Sequence, residues 1–144
     1  MTSAEALIFA REKLKQYGLE EWRVKVSNRM ARSSARCSYR KREIRLGAWI
    51  FQPGAGEKIR DTILHEIAHA MTPGAHHGRA WQVVAEMIGA KPNRTFIPEK
   101  HGMERPKGRY SATCPQCGIV HYMHRYTGNR YQCKCGFKPI IFRK

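Results

Sequence analysis

Acidic residues are scarce in this 144-residue chain: 11 Asp plus Glu stand against 27 Lys plus Arg, a formal net charge of +16. Solubility asks for a net charge of only about 2–8 in a small domain, so the excess points to a polyanionic partner. Long apolar runs are missing too. Nothing approaches the roughly 18 consecutive apolar residues of a membrane span. The opening MTSAEALIFAREKLKQYG sets acidic Glu5 before its short apolar stretch and shows no cleavage site after it, so no secretory signal is expected. Cysteine is sparse as well: five in all, four of them in the last 31 residues. That makes a poor disulfide framework but a good set of metal ligands in a reducing compartment. The expected location is therefore the cytoplasm, on the nucleoid in a bacterium, or the nucleus in a eukaryote. Internal repeats and low-complexity tracts are also lacking. A hydrophobic share of 42% is enough for a packed core, and the length suits a domain of about 100 residues with a small appendage.

Along the chain, Thr2 and Glu5 form a capping box, and Ala6, Leu7, Ala10, Leu14 and Tyr17 then share one helical face up to Gly18. WRVKV (22–26), ARCSY (35–39) and EIRLG (43–47) alternate, which predicts a small sheet of about three strands with a basic outer face. A helix starts at Glu57, buries Ile59, Ile63, Ile67 and Ala70 or Met71, and stops by Thr72, because Pro73 disfavours helix in the residue before it. GRAWQVVAEMIGA (78–90) predicts another helix, with Trp81, Val84, Ala85 and Ile88 inward. The Pro-, Gly- and charge-rich stretch 91–108 reads as a linker or a loop covering the active site.

HEIAHAMTPGAHHGRAW (65–81) carries the chemistry. His65 and His69, four apart on a helix, project one turn apart from one face, which suits two ligands of one zinc ion. Glu66 lies about 100° round the helix, badly placed as a ligand but able to reach a water beside the metal. This is the HExxH pattern, in which zinc acidifies water and the glutamate takes its proton as a carbonyl is attacked. A catalytic zinc needs a third protein ligand. The Pro73-Gly74 turn brings back His76 or His77. His77 is preferred, since it abuts Gly78 at the next helix start and Trp81 could anchor it. Arg79, His76 and Tyr110 are candidates for stabilising an oxyanion.

HEIAHA…HHGRAW resembles the SprT-like metalloproteases, which include Spartan: HExxH followed after several residues by an HG pair and an aromatic. ARCSYRKREIRLG resembles the strand pair these proteins place ahead of the active-site helix, and bacterial members carry a terminal zinc ribbon. The likeness runs from about residue 5 to 144. It implies an α+β, zincin-like domain, with His65, His69 and His77 as zinc ligands and Glu66 as general base. The implied activity is DNA-dependent proteolysis, best known from proteins crosslinked to DNA. Spartan's ubiquitin- and clamp-binding tails have no counterpart in these residues.

CPQCG (114–118) forms a zinc knuckle, and CKC (133–135) supplies the second pair with one residue between the thiols instead of two. Either that loop is distorted or His121 or His124 replaces a sulfur. Cys114, Cys117, Cys133 and Cys135 are the expected ligands of a structural zinc, and with the catalytic ion this makes two. Cys37, on an alternating strand, reads as a small buried hydrophobe. From Arg105 to Lys144 there are nine Lys or Arg and no acidic residue. Aromatics interleaved with those charges suit DNA, unpaired strands included. Arg125, Tyr126, Arg130 and Tyr131 are the expected contacts, while Tyr122, Phe137 and Phe142 are expected to build the ribbon's own core. A second basic cluster spans 23–45. The organisation expected is a zincin-like catalytic domain over 1–100, a linker over 101–109 and a zinc ribbon over 110–144. The function expected is a zinc endopeptidase acting on DNA-bound proteins. Two rivals are a metal-dependent nuclease, against which Glu66 speaks, and a non-enzymatic nucleic-acid-binding adaptor.

Overall fold

The computed structural model describes residues 1–92, 97–126, 131–138, 140 and 142. The chain divides into two compact units, Met1–Arg105 and Pro106–Lys144, and together they make a small α+β protein. No helix among the described residues is long and apolar enough to cross a membrane.

The first unit opens with α1 (Ser3–Gln16), started by the capping box: Glu5 N–H donates to Thr2 Oγ1 at 3.2 Å and Thr2 N–H to the Glu5 carboxylate at 2.7 Å. Ala6, Ala10 and Leu14 are fully buried, while Leu7 and Tyr17 only flank the core. Gly18 takes the left-handed conformation that ends the helix.

Three strands follow: β1 (Arg23–Ser27), β2 (Ala35–Ser38) and β3 (Glu43–Gly47). Their order is β1-β3-β2, with β3 parallel to β1 and antiparallel to β2. Val24, Ala35, Ile44 and Leu46 enter the core, against α1 and α2. The alternating pattern expected for β3 is not seen in its burial, since four of its five residues are buried. As the central strand it is flanked on both edges, and Lys25 and Arg45 fold over Glu43 on the outer face.

Next, α2 (Gly56–Met71) buries Ile59, Ile63, Leu64, Ile67 and Ala68. The last helix, α3 (Arg79–Met87), is shorter than 78–90 because Gly89 turns left-handed and the Ala90 N–H closes on the Ala85 carbonyl at 2.8 Å. Trp81, Ala85 and Ile88 are buried, and Val84 is half-buried. The stretch read as linker or cover belongs to this unit as far as Arg105, where it is described. Met103 is buried in its core, and Gln52 exchanges hydrogen bonds with the Glu104 backbone at 2.8 and 3.0 Å.

The second unit is a hairpin of β4 (Tyr110–Thr113) and β5 (Val120–Met123) around a small core of Cys114, Cys133, Ile140 and Phe142.

One close approach fixes the outer end of β3. A Cβ on Gly47 would lie 2.8 Å from Trp49 Nε1 and 3.2 Å from the Ser33 carbonyl, to which that same indole N–H donates. Gly47→Ala is therefore expected to lower stability by about 1–3 kcal/mol, read by thermal unfolding. An unchanged midpoint would show that Trp49 is free to move.

Candidate metal centre

The helix α2 holds His65 and His69 one turn apart, and its ending delivers the third histidine. Residue 73 would normally donate its amide to the His69 carbonyl, but proline has no N–H. The Thr72 N–H takes that carbonyl at 3.1 Å instead, and the Tyr39 hydroxyl donates to it at 2.6 Å. Having turned away, Thr72 leaves the Ala68 carbonyl to its own Oγ1, at 2.7 Å. Gly74 and His76 then adopt positive φ, and a turn closed by Gly78 N–H on the Ala75 carbonyl returns His77 just before α3.

The three Nε2 atoms form a near-equilateral triangle with sides of 3.2, 3.1 and 3.1 Å. A tetrahedral zinc bonded at about 2.0–2.1 Å holds its nitrogen ligands about 3.3 Å apart, so the triangle has the right size. The donor set also fits chemically. Three lone pairs converging on one point repel one another until a cation sits between them. Burial, with the charge of the neighbouring histidines, lowers His65 and His69 to about 4, so both rings are neutral at pH 7 and present lone pairs. Fully buried Trp81 floors the site, its ring 4.7, 5.3 and 4.8 Å from those of His65, His69 and His77. Its indole N–H reaches the His65 carbonyl at 3.4 Å.

Glu66 is 9% exposed, and burial raises its carboxyl to about 7. No hydrogen bond or ion pair ties it to another described residue. The other buried carboxylate, Glu43, is treated in the opposite way. Hydrogen bonds from Arg45 at 2.7 and 3.1 Å, with Lys25 at 3.5 Å, hold it below the usual carboxylate range. A clamped carboxylate is a poor base, whereas a buried, unclamped one takes up protons near neutrality. Glu66 also acts on its neighbours. Burial, then its charge, pushes the half-buried Cys37 thiol up to about 12, which keeps it neutral and unreactive. Burial, then Cys37 and Glu66, raises Tyr39 too, so its hydroxyl stays a donor.

Tyr39 is the site residue that sequence reasoning missed. The need for some donor to His69 was readable from Pro73, but its identity depends on how β2 packs against α2. Of the oxyanion candidates, Arg79 is exposed at the start of α3 and His76 is exposed in the turn before it, and Tyr110 belongs to the second unit.

In that unit the four thiols of Cys114, Cys117, Cys133 and Cys135 lie within 4.8 Å of one another. Cys114–Cys135 and Cys117–Cys133 are 3.7 and 3.5 Å apart, close to the roughly 3.8 Å edge of a zinc–sulfur tetrahedron. Both sulfurs of the CKC pair converge. The shorter spacing works because each half ends in a left-handed glycine, Gly118 or Gly136, whose N–H closes on Cys114 or Cys133 at 2.9 Å. His121 Nε2 also lies 3.3 Å from Cys133 Sγ, as a neighbour of the cluster.

The expected DNA contacts separate. Arg125 and Tyr126 are exposed, and Arg130 lies outside the described residues. Tyr131 is half-buried, with the rings of His121 and Phe142 at 5.1 and 5.4 Å. Of the three aromatics expected in the core, Phe142 is buried and Phe137 half-buried. Tyr122 is 47% exposed, its ring 5.4 Å from the Lys107 ammonium. The alternation of β5 turns His121 and Met123 inward and Tyr122 outward, so Tyr131 fills the place expected of Tyr122.

Comparison with known proteins gives two findings. The SprT-like family model matches residues 4–101, a span that includes His65, His69 and His77 and ends before the four clustered cysteines. The chain is also similar to Protein SprT of Pseudomonas syringae pv. tomato (strain ATCC BAA-871 / DC3000). The two are 26% identical over 115 residues, covering 69% of this chain and 67% of that protein.

The burial of Glu66 has a measurable cost. Below the ordinary value of 4.5 its carboxyl is protonated whether folded or unfolded; between 4.5 and about 7 the unfolded chain gives up this proton while the folded one keeps it, so stability falls across that window and levels off above it. In the metal-free protein, Glu66→Gln should be more stable than wild type at pH 8 by on the order of 1–3 kcal/mol and equal to it near pH 4. A gap in denaturation midpoints that does not change with pH would contradict this.

Proposed function

This chain belongs to the SprT-like family, and from that membership and the site above we propose that it is a zinc-dependent endopeptidase acting on DNA-associated proteins, including proteins crosslinked to DNA. In this reading the first unit is a zincin-like catalytic domain, with His65, His69 and His77 holding the catalytic ion and Glu66 as general base. The four cysteines hold a structural zinc. The observation that carries the reading is the pairing of a metal-sized histidine triangle with a buried, unclamped carboxylate on the same helix.

When bound, zinc supplies a Lewis acid that polarises a carbonyl and acidifies water. The rest falls to the chain's own residues. Glu66, poised near neutrality, accepts a proton from the attacking water and returns it to the leaving amine. Trp81 keeps the histidine rings in place, and Tyr39 with Thr72 fixes the helix end that carries His69. β2 is an edge strand, and Cys37 on it is close enough to feel the charge of Glu66. A substrate laid in extended form along the free edge of β2 would add a strand and bring a peptide bond toward Glu66. DNA association draws support from the net charge of +16 and from a second unit whose residues 106–144 include no acid.

The test incubates zinc-loaded protein with a basic DNA-binding protein, with and without single-stranded DNA, beside Glu66→Gln. DNA-stimulated fragments are expected from the wild type. The variant should lose at least about 100-fold in rate while retaining its zinc by elemental analysis. Cut DNA beside intact protein would instead identify a nuclease, and no cleavage of either would leave a binding protein.

A further inference from the structure

The sheet of the first unit has two unlike faces. Strand register puts Val24, Ile44 and Cys37 in one row and Val26, Leu46 and Ala35 in the next, all on the side of the helices. The alternate rows, Arg23–Glu43–Ser38 and Lys25–Arg45–Arg36, lie on the other face. Four cations therefore share that face with one acid. Glu43 is already engaged by Arg45 and Lys25. Arg23 and Arg36 are exposed and have no ion pair among the described residues.

Neighbouring strands are about 4.8 Å apart and alternate residues about 6.8 Å apart, so each of these cations stands within roughly one Debye length of its nearest neighbours. Their fields add, and their mutual repulsion is relieved only by a partner with closely repeated negative charge. The loop after β1 adds Arg29 and Arg32, and the turn after β2 adds Arg40 and Lys41.

We infer that this exposed face of the β1-β3-β2 sheet is a docking surface for the DNA backbone, an inference that rests on the reading of the chain as a DNA-associated peptidase. The match is one of charge repeat. A DNA strand carries one phosphate per nucleotide at a fixed repeat, one for about every 3.4 Å of duplex axis, whereas acidic side chains on a folded protein are seldom so regular. Guanidinium forks at Arg23 and Arg36, not engaged by Glu43, suit phosphate oxygens in particular. The contacts are to the backbone, so sequence preference is weak. The placement also suits the chemistry. DNA lies on the back of the sheet whose free β2 edge borders Glu66, so a protein attached to that DNA has only to reach around one strand to enter the site.

The test measures binding of a fluorescent single-stranded oligonucleotide to the full chain by anisotropy across a salt series. Arg23→Gln/Arg36→Gln is compared with Arg11→Gln/Lys15→Gln, which removes the same charge from exposed positions on α1. The sheet variant is expected to bind about 10-fold more weakly, with a salt slope reduced by about 1.4, or 0.7 per lost phosphate contact. The α1 variant should change by less than about 2-fold, and both should melt like wild type. Equal losses in the two variants, or none in the sheet variant, would overturn the docking surface while leaving DNA-stimulated proteolysis to stand. No DNA binding by the wild type would overturn both. Binding of poly-glutamate as tight as that of DNA would assign the face to acidic protein instead.

Discussion

Pro73 has no amide proton for the His69 carbonyl, and much of the site follows from that missing hydrogen bond. The helix must stop one turn after its second histidine, and the chain turns back through Gly74 and His76 to deliver His77. Two carbonyls in the last turn are left short of their usual donors. Thr72 serves one through its hydroxyl, and Tyr39 reaches from the end of β2 to serve the other at 2.6 Å. The sheet is thus fastened to the helix at His69, whose ring forms one corner of the nitrogen triangle. A candidate metal centre built from one helix and one returning loop gains rigidity from a strand that contributes none of its three histidines.

Electrostatics divides the first unit in a similarly economical way. Two carboxylates are buried there, Glu43 and Glu66. The first sits among cations on the outer face of the sheet and is held ionised. The second sits on the helix side, away from any described cation, where burial raises it to about 7. The same burial keeps His65 and His69 neutral and Cys37 protonated. Burial therefore sets the protonation of His65, His69, Glu66 and Cys37 together. The positive charge that DNA would need lies on the opposite face.

Much of this was legible in the sequence because it rests on local rules. Helical spacing placed His65, His69 and Glu66, Pro73 and Gly74 announced the return of the chain, and alternation located three strands. What escaped depended on long-range packing. Tyr39 follows a strand whose register against α2 no local pattern specifies. The burial of Glu43 comes from β3 being central, and strand order is not written in alternation. In the second unit both Tyr122 and Tyr131 lie near the cysteines in sequence, and only the pleat of β5 decides which one turns inward. The short CKC spacing alone leaves open a distorted loop or a histidine in place of a sulfur, because the turn closed by Gly136, as Gly118 closes the longer loop, is set by backbone conformation.

The most direct test of the histidine triangle as a metal centre is an anomalous difference map at the zinc edge, from crystals of protein loaded with zinc at neutral pH. The expected result is one peak about 2.0–2.1 Å from the Nε2 atoms of His65, His69 and His77, with a second among the four cysteine sulfurs at about 2.3 Å. A peak among the sulfurs alone, with the three histidines hydrogen-bonded to water, would contradict it.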